Sequence, residues 1–222
     1  MKKLSILMNS IGYNFKNQEI LDIALTHSSY NEEAKKINFE RLEFLGDRVL
    51  GIIISEKIFE KFGSETEGQL AKRFSYLVCK KTLCKVAKDI NIHNFIKISS
   101  DIKGNSIQSI VANSLEAIIA SIFLDSDYKT VKNIVLQLWE KYLLKHKFPP
   151  LDPKSKLQDW CLKNKKKLPE YIVTNKVGPD HNPIFTVKVM ISSKIFSSAK
   201  GKNKQDAEIK AANKLIEKIG AN

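Results

Sequence analysis

A proline-rich segment at residues 146–153, HKFPPLDP, divides the chain into two parts with different apolar patterns. Proline fixes its own φ angle, lacks an amide hydrogen and pushes the preceding residue away from helical geometry. Three prolines within eight residues therefore predict a stiff, extended connection. The apolar pattern before this segment repeats as in helices, whereas the pattern after it alternates as in strands. We predict two domains, residues 1–146 and 154–222, joined by a linker at residues 147–153.

The first part has the pattern of one helix after another and contains no alternating strand pattern. Asn17 is a typical N-cap for a short helix that runs through Leu25. A long helix begins in the stretch NFERLEFLGD, residues 38–47, and ends near Gly63, where the segment SETEGQL offers two capping-box patterns. We predict a mostly α domain, with further helices that run through Ile90 and span residues 106–124 and 128–144.

The part after the prolines predicts a small α+β unit. The segments EYIVTNKV and IFTVKVMI alternate at period two, so that Phe185, Val187 and Val189 line one face, and KIFSSAK predicts a third strand. A short helix is expected over residues 154–164. A final helix carries apolar residues at steps of four from Ala207 onward, a stripe that can pack on the sheet. The predicted order is α-β-β-β-α.

The formal net charge of the chain is +13, which favours a polyanionic partner such as nucleic acid or an anionic membrane. A merely basic soluble protein remains an alternative at this stage. Residues 151–222 contain 15 lysines and 7 acidic residues, so they contribute a net +8. The smaller domain is therefore the more basic one per residue.

The chain is expected to be soluble, cytoplasmic and without a membrane partner. The opening apolar run is short and interrupted, unlike a signal peptide, and no unbroken run of about 20 apolar residues follows. The cysteines are Cys79, Cys84 and Cys161, a sparse and odd set that does not form a disulfide framework. They are interpreted as small core residues in a reducing compartment.

The stretch NFERLEFLGD places acidic and apolar residues on opposite sides of one helix. With Glu40 taken as zero, Glu43 falls at roughly −60° and Asp47 at roughly −20° around the helix axis. Like charges at this spacing repel and destabilise a helix. Gly46 has no side chain, which allows another backbone to approach closely. An acidic face in solvent and a site for a hard divalent cation both fit this pattern.

A second acidic position favours the cation site. The segment VANSLEAIIASIFL is almost wholly apolar and is expected to be buried, yet it carries Glu116. An isolated buried carboxylate is costly. A metal ion held between Glu116 and the pair Glu43 and Asp47 would account for both features. Asn113 lies three residues earlier on the same face and offers a neutral carbonyl oxygen.

The segment ERLEFLGD closely resembles the signature of the ribonuclease III family. The segments ALTHSSY, SETEGQL and ANSLEAIIASIFLD also resemble family segments, in the expected order, so the resemblance covers nearly the whole chain. It implies a homodimeric enzyme that depends on Mg²⁺, with Mn²⁺ as a possible substitute, and cleaves double-stranded RNA. The implied nucleophile is water, and the implied products have 5′-phosphates, 3′-hydroxyls and short 3′ overhangs. The implied role is the processing of ribosomal, messenger and transfer RNA.

The same resemblance assigns roles to individual residues. Glu43, Asp47 and Glu116 match the family's metal-binding acids, and Asp47 and Glu116 match its catalytic ones. The fourth metal position is usually aspartate and is Asn113 here. An amide oxygen can still bind a metal or a metal-bound water, but the substitution removes one negative charge.

Other positions match the family with weaker signals. Glu40 and Glu67 match accessory acids near the cleavage site, although Glu40 could instead pair with an arginine and Glu67 could cap a helix. His27, within ALTHSSY, is interpreted as structural.

The C-terminal part resembles a double-stranded-RNA-binding domain through KLQDWC, GPDHNPIF and KGKNKQDAEIKAA. Such domains recognise the shape of A-form RNA through 2′-hydroxyls and phosphates. Gln158 and His181 match minor-groove positions, and Asn203 can cap the last helix where the family often has serine. The lysines that match phosphate-binding positions are Lys200, Lys202 and Lys204.

A non-catalytic double-stranded-RNA-binding protein built on a decayed nuclease fold is the alternative function. Asn113 is the residue that favours it, and the intact acids Glu43, Asp47 and Glu116 argue against it. No protein partner other than a second copy of the chain is inferred.

Overall fold

The chain forms two compact units, Met1–Pro150 and Leu151–Asn222, and each is described here by itself. Of the predicted linker, residues 147, 148 and 151 lie outside the part of the chain that the structure describes. The structure is a computed structural model, and it describes residues 2–30, 33–145, 149–150, 152–179 and 183–220.

The first unit is helical, as the sequence predicts. Among its described residues the strand-like pairing consists of an isolated parallel bridge between Thr26 and Lys97. The helices are α1 (Lys2–Ile11), α2 (Gln18–Leu25), α3 (Glu33–Lys61), α4 (Glu67–Val78), α5 (Lys80–Asp89), α6 (Asn105–Asp125) and α7 (Tyr128–Leu143), with a 3₁₀ turn at Ile92–Asn94.

The sequence does not predict helix α1, although the predicted cap of α2 is confirmed. Helix α1 buries Leu7 and Ile11 in the core of the first unit. It ends at Gly12, whose φ of +80° favours glycine and whose amide donates to the Met8 carbonyl oxygen at 2.9 Å. The side chain of Asn17 accepts from the Glu19 amide at 2.9 Å at the start of α2.

Helices α3 and α6 form the centre of the first unit. Helix α3 is 29 residues long and buries Leu50, Ile53 and Ile54. Helix α6 is long and apolar enough, by length and composition, to cross a membrane, with a mean hydropathy of 1.6 over its most apolar stretch. Of that stretch 56% is buried inside the unit, and the central helix of a soluble protein has the same composition. Burial by the surrounding helices therefore accounts for its apolar sequence.

The second unit has the predicted α-β-β-β-α order and an antiparallel sheet of order β1-β2-β3. Val187 and Val189 of the middle strand are fully buried, as are Ala207, Ala211 and Leu215 of the last helix, so the predicted sheet face and helix stripe are confirmed. The elements are α8 (Pro153–Lys163), β1 (Glu170–Val177), β2 (Ile184–Met190), β3 (Phe196–Gly201) and α9 (Lys204–Lys218).

Candidate active site

Helix α3 carries its acidic residues on the side opposite its buried face. Leu42, Val49 and Leu50 are buried, whereas Glu43 and Asp47 are half-buried. The helical repeat of 3.6 residues produces this separation, because positions three, four and seven apart share a side. The acids are therefore presented at the edge of the core, where a second helix can reach them.

Gly46 allows α6 to cross α3 directly beside these acids, as its lack of a side chain predicts. A Cβ atom added at Gly46 would lie 1.8 Å from the carbonyl oxygen of Glu116. No real Cβ tolerates that distance to a backbone atom, so any side chain at this position would push the two helices apart. The close crossing places Glu116 next to the α3 acids.

One cavity of about 470 Å³ brings the predicted metal ligands together. Its walls come from α3, from α6 and from the turn that follows α2. Glu40, predicted as an accessory acid, also lines it. The full lining is His27, Ser28, Glu40, Glu43, Phe44, Asp47, Asn113 and Glu116.

Burial and mutual repulsion act on the acids of this cavity. The pKa of Glu116 is raised to about 7, first by burial and then by the negative charges of Asp47 and Glu43, while Lys80 acts in the opposite direction. Burial also raises the pKa of Glu43, to which the charges of Glu40 and Asp47 add. Crowded carboxylates of this kind are strongly stabilised when a cation enters.

The Asn113 side chain acts on Glu43 as a hydrogen-bond partner that favours the ionised carboxylate, and so it partly opposes the rise in the pKa of Glu43. A carboxylate only accepts, so the Asn113 amide nitrogen donates and its carbonyl oxygen is left for another partner. Asp47 pairs with its neighbour Arg48, Oδ2 to Nη1 at 2.5 Å, and that pair is largely exposed. An exposed pair of this kind contributes little and gives way to a stronger cation.

The donor set of the cavity fits a hard divalent cation. Glu43, Asp47 and Glu116 supply carboxylate oxygens and Asn113 an amide oxygen, the ligands that Mg²⁺ takes. Within the described ranges, however, no group of three or more His, Cys, Asp or Glu side chains lies close enough together to hold a metal ion.

Glu67, the other predicted accessory acid, is exposed and is the first residue of α4. It does not line the cavity formed by this chain. Of the two capping boxes offered by the sequence, the one formed is that of Thr66 and Gln69, where Gln69 Oε1 accepts from the Thr66 amide at 2.8 Å. Glu67 is therefore not needed as the cap.

Residues that the sequence did not assign to the site also surround the acids. His27 and Ser28 line the cavity, and the charge of Lys80 at the start of α5 partly opposes the rise in the pKa of both Glu43 and Glu116. For His27, the ALTHSSY motif was the sequence feature that could have indicated a place in the site. Lys80 carried no such signal, because only the packing of α5 against α6 brings it close.

A second, basic cavity of about 770 Å³ lies in the same unit between α5 and α6. Its floor includes Ile107 and Val111, and Lys80 belongs both to its lining and to the surroundings of the acids. The cationic side chains of its lining are Lys80, Lys81, Lys85 and Lys88, with His93 beside them.

The predicted RNA-binding residues of the second unit are exposed where the structure describes them. Gln158 lies on α8, and His181 lies outside the described residues. Asn203 caps α9 as predicted, since its side chain accepts from the Asp206 amide at 2.8 Å. The lysines at the beginning of α9 and just before it, all exposed, are Lys200, Lys202 and Lys204.

Family models match both units. Residues 17–143 match the model described as ribonuclease-III-like, and residues 153–219 match the double-stranded RNA binding motif. A protein named ribonuclease 3 from Wolbachia sp. subsp. Drosophila simulans is 42% identical over 227 aligned positions, covering 99% of this chain and 98% of its own. A protein of the same name from Ehrlichia ruminantium, strain Welgevonden, is 42% identical and covers 94% of both chains.

Solved structures agree with these relatives. The crystal structure of the nuclease domain of ribonuclease III from Campylobacter jejuni is 39% identical, with a TM-score of 0.58, and covers 68% of this chain and all of that one. A second structure of that domain, described for structural flexibility in a region involved in dimer formation, is 40% identical with a TM-score of 0.57, covering 61% of this chain and 95% of its own.

Proposed function

Since this chain belongs to the ribonuclease III family and is an endoribonuclease, we propose that it hydrolyses double-stranded RNA with Mg²⁺ held in the acidic cavity. The observation that carries the proposal is that Glu43 and Asp47 of α3 meet Asn113 and Glu116 of α6 in one cavity. Mn²⁺, which accepts the same oxygen ligands, would substitute.

The proposed chemistry follows from the charges of the cavity. A bound Mg²⁺ would neutralise the phosphodiester and make an attacking water more acidic. Glu43, Asp47 and Glu116 would hold the ion, and Asn113 would hold Glu43 in place through its hydrogen bond. Asp47 and Glu116 would act closest to the reaction. The products would carry 5′-phosphates, 3′-hydroxyls and a short 3′ overhang.

The second unit would hold the duplex. It matches the double-stranded RNA binding motif, and such domains read the shape of A-form RNA rather than its sequence. The exposed lysines 200, 202 and 204 beside the start of α9 support this role, because a helix N-terminus adds attraction for phosphate. His181 and Gln158 would reach the minor groove.

A homodimer is part of the proposal. Helix α3 exposes large apolar side chains along one stripe, with Phe44 65%, Ile52 58% and Phe59 73% exposed. A cavity of about 840 Å³ beside Phe44 and Leu124 offers apolar surface on the same side. A second copy would cover this surface, and the Campylobacter jejuni domain has a region involved in dimer formation. Glu67, which does not line the cavity of one chain, would then act as an accessory acid in the dimer.

The proposed setting is the cytoplasm, and the proposed substrates are ribosomal, messenger and transfer RNA precursors that contain duplex segments. The charge of +13 supports a polyanionic partner of this kind.

Purified full-length protein incubated with a long perfect RNA duplex tests the proposal. With Mg²⁺ we expect short duplex products whose 5′ ends accept no new phosphate until a phosphatase has treated them. Without Mg²⁺ we expect a shift in mobility and no cleavage. Binding without cleavage at every Mg²⁺ and Mn²⁺ concentration would contradict it.

A further inference from the structure

The turn after α2 forms the one wall of the acidic cavity that is not acidic, among the residues described. His27 and Ser28 of this turn line the cavity opposite carboxylates from α3 and α6. The turn is held in place by backbone hydrogen bonds, since the His27 amide donates to the Lys97 carbonyl oxygen at 3.0 Å and the Lys97 amide donates to Leu25 at 2.7 Å. Its side chains are therefore fixed relative to the acids.

The orientation of the His27 ring is set by two contacts. Its Nδ1 accepts from the Ser29 amide at 3.1 Å and lies 2.9 Å from Ser29 Oγ. The ring also packs edge-on against Phe39, with 5.2 Å between ring centroids. Because an amide can only donate, Nδ1 is the unprotonated nitrogen, and the hydrogen of the neutral ring is on Nε2.

The hydrogen bond that Nδ1 accepts from the Ser29 amide requires the neutral ring, and burial favours the same form. Burial lowers the pKa of His27 below the ordinary histidine value, and the charge of Glu40 acts in the opposite direction with a smaller effect. No hydrogen bond to a carboxylate contributes to that shift among the described groups. The ring is thus a fixed, neutral Nε2–H donor beside a cavity whose other polar walls mostly accept.

Resting on the proposed function, we propose that His27 binds the RNA directly, donating from Nε2–H to a backbone oxygen of the strand that is cut. Carboxylates at the cavity can accept from RNA or bind metal, but they repel phosphate and cannot donate to it. An anionic strand that enters this cavity needs a donor in addition to metal. His27 supplies one at no cost in reorganisation, because Ser29 and Phe39 already hold the ring.

Two oxygens of the RNA share this chemistry, the non-bridging phosphate oxygen and the ribose 2′-hydroxyl. A duplex with a single 2′-deoxyribose at the cleaved position separates them. If the acceptor is the 2′-hydroxyl, the deoxy substrate and the loss of the His27 donor remove the same hydrogen bond. Combining the two changes then slows cleavage no more than either change alone. If the acceptor is the phosphate, the two effects multiply.

The test compares variants of the full-length enzyme in single-turnover cleavage at RNA concentrations well below saturation, where the loss of an RNA contact slows the observed rate. His27→Phe keeps a ring for Phe39 but removes the donor, and it should slow cleavage about tenfold to a hundredfold, as loss of a hydrogen bond to a charged group does. His27→Gln keeps an N–H donor and should recover most of the rate. The matched control is Tyr30→Phe, which removes a hydroxyl from the same turn outside the cavity and should cleave at the normal rate.

A purely structural role gives a different pattern. The inference is overturned if His27→Phe cleaves at the wild-type rate, or if Phe and Gln variants are equally slow and both melt at lower temperature. The cleavage rate of Glu116→Gln is measured alongside, so that this result can be distinguished from a failure of the proposed function. If Glu116→Gln does not cleave while His27→Phe cleaves at the wild-type rate, only the role of His27 is refuted.

A second measurement applies even if His27→Phe does not fold. The chain has 4 histidines, so ¹⁵N labelling of histidine yields a spectrum in which the His27 ring is assigned by its loss in His27→Gln. We expect the Nε2–H tautomer in the free protein and a change at Nε2, but not at Nδ1, when metal-free protein binds duplex RNA. An unchanged His27 ring in the complex would overturn the inference.

Discussion

The two units place opposite charges in opposite environments. In the first unit, acidic side chains gather in a cavity where burial and repulsion raise the pKa of Glu116 to about 7. In the second unit, Lys200, Lys202 and Lys204 are exposed to solvent. A buried cluster makes each group critical, because its energy depends on the others, whereas exposed charges contribute small and nearly independent amounts.

This difference predicts how RNA cleavage and RNA binding should each respond to mutation. In the proposed function, cleavage depends on the exact composition of a small cavity, so that single substitutions there should have large effects. Holding RNA depends on the number of cationic contacts, so that each lysine should matter little and salt should matter greatly.

Glu116→Gln should abolish cleavage while leaving RNA binding unchanged. It removes a charge from the proposed metal site, and even groups one step outside a metal's ligands cost about 10–100-fold when lost. We expect more than about a hundredfold loss of the single-turnover rate. The matched control is Glu140→Gln, an exposed acid of α7 that should behave as wild type. Near-normal cleavage by Glu116→Gln at saturating Mg²⁺ would remove Glu116 from the site.

Gly46→Ala should impair both the fold of the first unit and its cleavage. The added Cβ would meet the Glu116 carbonyl oxygen, and overpacking against backbone typically costs about 1–3 kcal/mol. Gly51→Ala on the same helix is the control, because its Cβ would lie 3.8 Å from Phe74, an ordinary contact. That variant should be as stable as wild type or more so, by up to about 1 kcal/mol. Equal melting temperatures for both variants would contradict the close crossing.

Replacing Lys200, Lys202 and Lys204 together by glutamine should weaken duplex binding and leave the cleavage rate at saturating RNA unchanged. Each lost phosphate contact should reduce the slope of log affinity against log salt by about one. A control with the same change in net charge replaces Lys165, Lys166 and Lys167, exposed residues between α8 and β1. If both triple variants lose affinity equally, general charge rather than the α9 site binds RNA.

Asn113→Asp should lower the melting temperature of the metal-free protein. It replaces the hydrogen-bond donor of Glu43 by a like charge, and about 1 kcal/mol of repulsion corresponds to about 2–4 °C in a chain of this size. Added Mg²⁺ should raise the melting temperature of the variant more than that of wild type, because the extra carboxylate binds the ion. An unchanged melt and an unchanged Mg²⁺ requirement would exclude Asn113 from the site.

The raised pKa of Glu116 predicts that the stability of the metal-free protein depends on pH. The folded state holds the proton up to about pH 7, whereas the ordinary value is 4.5, so the associated stabilisation is complete below about pH 4.5 and is lost as pH rises through 7. Between pH 5 and pH 8 in chelator, wild type should lose more stability than Glu116→Gln. If wild type and Glu116→Gln lose the same stability between the two pH values, Glu116 is not a buried carboxylate that its neighbours repel.

The sequence predicted the fold well because its local signals agree with its packing. The period of the apolar residues, the Asn17 and Asn203 caps and the prolines each act within a few residues, and the structure has the helices and strands they imply. Helix α1 was missed because its short apolar pattern gains its stability from the rest of the core.

The site was less completely predictable, for a physical reason. Glu43, Asp47 and Gly46 belong to one helix, and their relation follows from helical geometry. The nearness of Lys80 and the hydrogen bond from Asn113 to Glu43 depend on how separate helices pack, which no local pattern encodes. The roles of the site residues as metal ligands stay predictions, as does that of His181.

The most direct test measures RNA cleavage and RNA binding separately in the same proteins. Wild type, Glu116→Gln, the triple variant of Lys200, Lys202 and Lys204, and their combination are compared on one labelled RNA duplex. Affinity is measured without Mg²⁺, and the single-turnover cleavage rate is measured with Mg²⁺ at saturating RNA. We expect Glu116→Gln to lose only cleavage and the lysine variant to lose only affinity, and we expect the two effects to be independent in the combined variant. Loss of affinity in Glu116→Gln, or loss of the saturated cleavage rate in the lysine variant, would contradict this expectation.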